Sequence, residues 1–249
     1  MEFAYNLLLN LFPSRCVFCQ QTVNTRVTED PAVNKNIEIC ADCYRLLPHN
    51  RHCCIRCALP LAEEINDRVL CGRCINKLPA FDYSYSLFRY QDDIVSLVHQ
   101  LKFSEKISYA RSIGEMLLTK CELNLLPEQE RPDCLLPVAL HASRLRQRGF
   151  NQSAEIARVL AKKLNIPIDY DTVIRQRSTV SQTGLNAQQR RKNIKGAFSV
   201  AKEVKYRHVL IIDDVVTTGS TVNELAKVLK KNHVKRVGVL SIARAPVKG

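Results

Sequence analysis

Along the latter two thirds of the chain, apolar residues fall into two styles: unbroken short runs and sets spaced at helical intervals. Val209–Ile212 and Val237–Ile242 are continuous runs, the pattern of strands covered on both faces. Between them, Ser220–Lys231 places Val222, Leu225, Ala226 and Leu229 on one face of a helix. Gln152–Leu164 repeats that spacing with Ile156, Ala157, Leu160 and Leu164, and Pro167 stops it. Asp92–Lys102 does so with Ile94, Val95, Val98 and Leu101. Phe81, Tyr83 and Tyr85 alternate with polar neighbours, predicting a half-buried strand. Leu135–Leu140 is a short apolar run around Pro137, Thr172–Ile174 reads as a brief strand, and Gln176–Lys195 is a long polar stretch. Buried strands alternating with helices predict an α/β fold with a parallel sheet flanked by helices.

The first third follows neither pattern. Nine of the eleven cysteines lie between Cys16 and Cys74, and the composition changes around Leu78-Pro79-Ala80. At 249 residues the chain suits a main domain plus a small appendage, here 1–79 and 80–249. Phe3–Phe12 is apolar but opens on Glu2, without the basic start or small-residue cleavage site of a signal peptide; a short amphipathic helix is expected. No apolar run approaches the roughly 20 residues of a membrane span, so a cytoplasmic protein is expected.

The cysteines form four pairs: Cys16-x-x-Cys19, Cys40-x-x-Cys43, Cys54-x-x-Cys57 and Cys71-x-x-Cys74. Each pair can present two thiolates from one tight turn, and two turns close a tetrahedral zinc site. Sequential pairing gives two structural four-cysteine sites, with 20 residues between the first two pairs and 13 between the last two. Four thiolates also suit iron–sulfur clusters. Cys53 is left over and could replace Cys54, although Cys54 gives the regular spacing; Cys121 and Cys134 stand alone as core thiols.

Charge separates the two parts. Residues 1–80 hold nine Lys/Arg against eight Asp/Glu, net +1, whereas residues 81–249 hold 28 against 16, net +12. Two zinc sites of four thiolates, each net −2, would bring the first part to about −3. The basic surface, and any polyanionic partner it holds, therefore belongs to the second part. The cysteine module suits a structural or protein-facing role.

The most specific string is Val209-Leu-Ile-Ile-Asp213-Asp214-Val-Val-Thr217-Thr218-Gly219-Ser220-Thr221. A buried strand ends in two carboxylates, and a small-residue turn opens the next helix. Backbone N–H groups of such a turn, with the helix N-terminus behind them, make an anion site. Thr217, Thr218, Ser220 and Thr221 add hydroxyl donors, and Gly219 permits close approach. A plain N-cap would account for Ser220 or Thr221, but not for two acids at the mouth of an apolar strand.

This string closely resembles the loop of type I phosphoribosyltransferases that binds phosphoribosyl pyrophosphate (PRPP) as its magnesium complex. The resemblance assigns Asp213 and Asp214 to the ribose, directly or through Mg²⁺, and Thr217–Thr221 to the 5-phosphate. Three more segments follow: Arg144-Leu-Arg146-Gln-Arg148-Gly-Phe-Asn151-Gln152 after Pro137-Val138, then Arg175-Gln-Arg177 with Gln182, then Arg190-Arg191-Lys192-Asn193. In this order, behind a double CxxC module, they resemble the ComF family, linked to natural transformation and DNA uptake. Leu101-Lys102-Phe103 and Leu59-Pro60 fit the same resemblance, although the linker Thr22–Ile39 is long for it. It implies a type I phosphoribosyltransferase-like domain at 80–249 behind a double zinc ribbon. It places Pro137–Asn151 where the pyrophosphate loop lies and Gln176–Arg191 where the loop that closes over PRPP lies. Arg144, Arg146, Arg148, Arg175, Arg177, Arg190 and Arg191 suit pyrophosphate or nucleic-acid phosphates, since guanidinium grips phosphate oxygens bidentately. A solvated basic turn is the bland alternative.

Two readings of function stay open. One is an active phosphoribosyltransferase, for which no acceptor pocket is identifiable; Tyr83, Tyr85, Phe88 and Tyr90 are the stacking candidates. The other, preferred here, is a PRPP-binding competence protein whose basic surface helps handle single-stranded DNA. The zinc module would then offer a surface to a protein of the uptake machinery.

Overall fold

The computed structural model describes residues 15–23, 38–62, 69–103, 108–120, 130–177 and 187–246. The predicted helix at Phe3–Phe12, most of the linker 22–39, Cys121 and Gln182 lie outside them.

Among the described residues there are six strands: β1 (Tyr83–Arg89), β2 (Cys134–Pro137), β3 (Val173–Arg175), β4 (Phe198–Val200), β5 (His208–Val216) and β6 (Arg236–Arg244). Four of them make the expected parallel sheet, in the order β1-β6-β5-β2. β3 and β4 pair antiparallel outside it. The helices are α1 (Ala41–Leu46), α2 (Gly72–Asn76), α3 (Asp92–Phe103), α4 (Ser108–Lys120), α5 (Ala142–Arg148), α6 (Gln152–Leu164), α7 (Ala187–Ile194) and α8 (Ser220–Lys231). None of the described helices is long and apolar enough to cross a membrane.

The continuous apolar run of β5 has a direct explanation. Leu210 and Ile212 join one core layer with Ile94, Leu101, Ile113 and Ile156. Val209 and Ile211 join the opposite layer with Val222, Leu225 and Leu229. Side chains alternate across a strand, so a strand with helices on both faces must be apolar throughout. In α3 the buried stripe is Ile94, Leu97, Val98 and Leu101, while Val95 is 39% exposed. The expectation for Val95 fails because a residue one step past Ile94 is rotated about 100° off the stripe.

β1 also departs from its expected alternation. Ser86, Leu87 and Phe88 are all buried. Their edge is covered by residues 48–50: Asn50 N–H donates to Leu87 O (3.0 Å), and Arg89 N–H to Pro48 O (2.7 Å). The stretch between α1 and the second cysteine group thus closes a sheet edge that would otherwise offer unpaired backbone. The first cysteine group is tied in as well, since Cys16, Val23, Ile39, Tyr44 and Leu47 share the core layer of α3, α4 and α6.

Candidate functional site

The loop after β5 sits at the carboxyl end of the sheet, where ligands of open α/β sheets bind. Gly219 has φ 76°, a left-handed conformation that strains residues carrying a Cβ. It acts as N-cap of α8 without a side-chain cap bond, and the first turn of α8 holds no acid. The positive dipole end of α8 faces the turn. Ser220 N–H donates to Thr218 Oγ1 (3.3 Å), and the Thr218 and Ser220 hydroxyls are 2.5 Å apart. Asp213, Thr217, Gly219, Ser220 and Thr221 line, with Val215, Val216 and Val222, a solvent-open pocket of about 210 Å³.

The two acids have different surroundings. Asp214 is 9% exposed and pairs with Lys102 Nζ at 2.9 Å. Asp213 accepts from Asp214 N–H (2.9 Å) and lines the pocket. Burial, then the neighbouring Asp214, push the Asp213 carboxyl well above the usual range, with Lys102 opposing. An acid held this way gains from any cation or hydroxyl donor that reaches it.

Arginines converge on the same end of the sheet. Arg144 and Arg148 are four residues apart and share one face of α5, whereas Arg146 is on another face and exposed. Arg175, at the end of β3, is 9% exposed; burial pulls its pKa down to about 10, and Arg144 and Arg177 add to the fall while Asp213 opposes it. Burial also lowers Arg148, with Asp214 working against that and Arg144 with it. Guanidinium groups crowded this closely around two acids make a site suited to a polyanion. Arg177 does something else: its Nη2 donates to Asn193 O (2.9 Å) and Lys195 O (2.7 Å), joining the two ends of the segment that the resemblance assigns to closure. Arg190 and Arg191 lie on α7.

The eight paired cysteines form two tetrads, Cys16/Cys19/Cys40/Cys43 and Cys54/Cys57/Cys71/Cys74, whose sulfurs lie within 4.8 Å of one another. Cys19 and Cys40 sulfurs are 3.7 Å apart, as are those of Cys57 and Cys71. A tetrahedron with Zn–S bonds of about 2.3 Å has edges of about 3.8 Å, so the tetrads fit zinc. Cys53 stays outside, resolving the choice between it and Cys54. Burial works against ionising Cys54, but N–H donors of Cys71, Cys57 and Arg56 outweigh it and bring the thiol to about 7. Cys57 goes the other way, to about 11, mainly through burial. Four thiolates share such a space only with a cation between them.

Known proteins match on both parts. The family described as "Double zinc ribbon domain" matches residues 7–75, and "Phosphoribosyl transferase domain" matches 151–249. The "Competence protein F" of Haemophilus influenzae is 31% identical over 242 residues, covering 96% of this chain and 100% of its own. The chain belongs to the ComF family. The "DNA utilization protein YhgH" of Escherichia coli is 35% identical over 207 residues, covering 83% and 90% of the two chains. "Competence protein ComFC" of Streptococcus pneumoniae is 22% identical over 246 residues, covering 92% of this chain and all of its own. The family's type I phosphoribosyltransferase-like domain and double zinc ribbon agree with the parallel sheet and the tetrads.

Two site residues escaped the sequence reading. Lys102 stood in the noted Leu101-Lys102-Phe103 string, but only folding brings the end of α3 to Asp214. Arg244 is a cation closing a buried strand and only 3% exposed. Its charge in that place was the available signal. Of the stacking candidates, Phe88 is fully buried, and Tyr83 lies at the opposite end of its strand, bonded to His208 (2.9 Å).

Proposed function

We propose that this chain is a cytoplasmic competence protein that binds Mg²⁺-PRPP at Val209–Thr221 and helps handle internalised single-stranded DNA. The observation that carries the ligand reading is Asp213 lining a pocket with Thr217, Gly219, Ser220 and Thr221 at the N-terminus of α8, with arginines close by. In this reading Asp213 and Asp214 take the ribose hydroxyls or Mg²⁺, the Thr217–Thr221 turn takes the 5-phosphate, and Arg144, Arg148 and Arg175 take pyrophosphate. Residues 80–249 form this ligand domain, and residues 1–79 a zinc module that meets protein partners. The competence role is inferred from relatives named for competence and DNA utilization, and the +12 charge of residues 81–249 supports DNA handling.

Thermal unfolding tests the ligand. Mg²⁺-PRPP at about a hundred times its Kd should stabilise by about 2.7 kcal/mol, a Tm rise of about 5–10 °C. Asp213→Asn combined with Asp214→Asn should abolish the shift; an unchanged wild-type Tm at saturation would sink the reading. The second reading is turnover, supported by the domain match. Pyrophosphate release from PRPP that depends on one member of a nucleobase panel would favour it.

A further inference from the structure

Arg244 bridges the second cysteine tetrad and the phosphate loop. From the end of β6 its Nε donates to the Cys57 carbonyl at 3.0 Å. Its Nη1 donates to the carbonyls of Val216 (3.0 Å), Thr217 and Ala245 (3.0 Å). The side chain is 3% exposed, so a bond lost at one prong is not replaced by water. The fork is planar and rigid, and displacing the Cys57 carbonyl therefore tilts the donor that holds residues 216–217.

The Cys57 carbonyl is itself placed by the metal-binding turn. Cys54 N–H donates to Leu59 O (2.9 Å), Ala58 N–H to Cys54 O (2.8 Å), and Ala58 takes φ 53°. Such a knuckle keeps its shape while Cys54 and Cys57 face a cation shared with Cys71 and Cys74. The same interface is stitched beside it: Ala80 N–H donates to Asn223 Oδ1 of α8 at 2.7 Å, and Arg56 pairs with Asp82 at 3.8 Å.

We propose that Arg244 is a positioning residue through which zinc at Cys54/Cys57/Cys71/Cys74 sets the geometry of the phosphate loop. The ribbon is then part of the ligand site, though no zinc ligand touches the ligand. The proposal rests on the Mg²⁺-PRPP reading only for the identity of what the loop binds.

The test uses the full chain and amide hydrogen exchange of the loop peptide 209–221, without PRPP. Wild type is compared with Arg244→Gln, the milder Arg244→Lys, Cys74→Ser, and Arg244→Gln with Cys74→Ser. Zinc released to a colorimetric chelator counts the metal, which should fall from two to one per chain in Cys74→Ser and stay at two in the Arg244 variants. Loop exchange should rise about tenfold in each single variant and no further in the double, while α6 exchanges as in wild type. Unchanged loop exchange in either Arg244 variant or in Cys74→Ser, or effects that simply add, would overturn the proposal. Mg²⁺-PRPP affinity should fall about tenfold in the same variants. If wild type does not bind Mg²⁺-PRPP while the exchange pattern appears, the ligand reading fails and the coupling stands.

Discussion

Asp213 and Asp214 are neighbours on one strand, and Lys102 pairs directly with Asp214 at 2.9 Å. Asp213 bears the conflict. Burial and the charge of Asp214 raise its pKa above the ordinary value of 3.8. A carboxyl whose folded pKa is raised binds its proton more tightly in the native state. The stability linked to it is fully present below about 3.8 and is lost as pH rises through the folded value. Toward neutral pH Asp213 therefore destabilises the ligand-free protein. Asp213→Asn should raise the ligand-free Tm at pH 7 by about 2–4 °C, a gain on the order of 1 kcal/mol, and steepen the acid-side fall of Tm, because the variant lacks the stability that protonating Asp213 adds at low pH. A lower Tm for the variant would show that Asp213 is satisfied without ligand. The same group predicts that Mg²⁺-PRPP binding weakens as pH falls into the acid range, because protons compete for the carboxylate that the ligand needs.

The helix α5 sorts its arginines by face. Arg144 and Arg148 share the face that feels Asp214 and Arg175, while Arg146 lies on another face and is exposed. Arg148→Ala should weaken Mg²⁺-PRPP about tenfold, the size of one charge-assisted bond, and Arg146→Ala should change it less than twofold, as read by calorimetry. Equal losses would mean that α5 acts only through net charge. This division is not legible in the sequence, where the resemblance places Arg144–Arg148 in a loop and nothing distinguishes the three arginines. The helix is set by features with weak sequence signals: His141 Nδ1 accepts from Ser143 N–H, and Gly149 closes the end at φ 79°. Local patterns with a strong physical cause were legible. Gln152–Leu164 and Ser220–Lys231 match their helices end to end, because their apolar stripes have a core to face. The cysteine tetrads were legible for a similar reason, since CxxC spacing is itself the geometry of a knuckle. β4 and α7 were not, because short or polar elements owe their form to tertiary contacts such as those Arg177 makes.

For the whole molecule, charge and fold point to a division of labour. The ribbon, about −3 with two zinc ions, covers a sheet edge and touches the loop through Arg244, so its charge disfavours a nucleic-acid backbone while its backbone supports the site. In the proposed function, the +12 of residues 81–249 is the part left to meet DNA. Such binding without base readout is driven by counterion release, and single strands lose affinity with a slope of about 0.7 per neutralised phosphate. If the surface neutralises about five phosphates, affinity for a single-stranded oligonucleotide should fall about a hundredfold between 50 and 200 mM salt. Filter binding at those two concentrations measures it, and no retention at low salt would rule out direct DNA handling. The sites should also compete. If, as proposed, PRPP brings a polyphosphate to Arg144, Arg148 and the buried Arg175, it offsets charge of the same basic domain, so saturating Mg²⁺-PRPP should lower the salt slope as well as the affinity. A slope unchanged by Mg²⁺-PRPP would place the DNA on basic residues away from the loop, and the two ligands would then be held by separate faces of one domain.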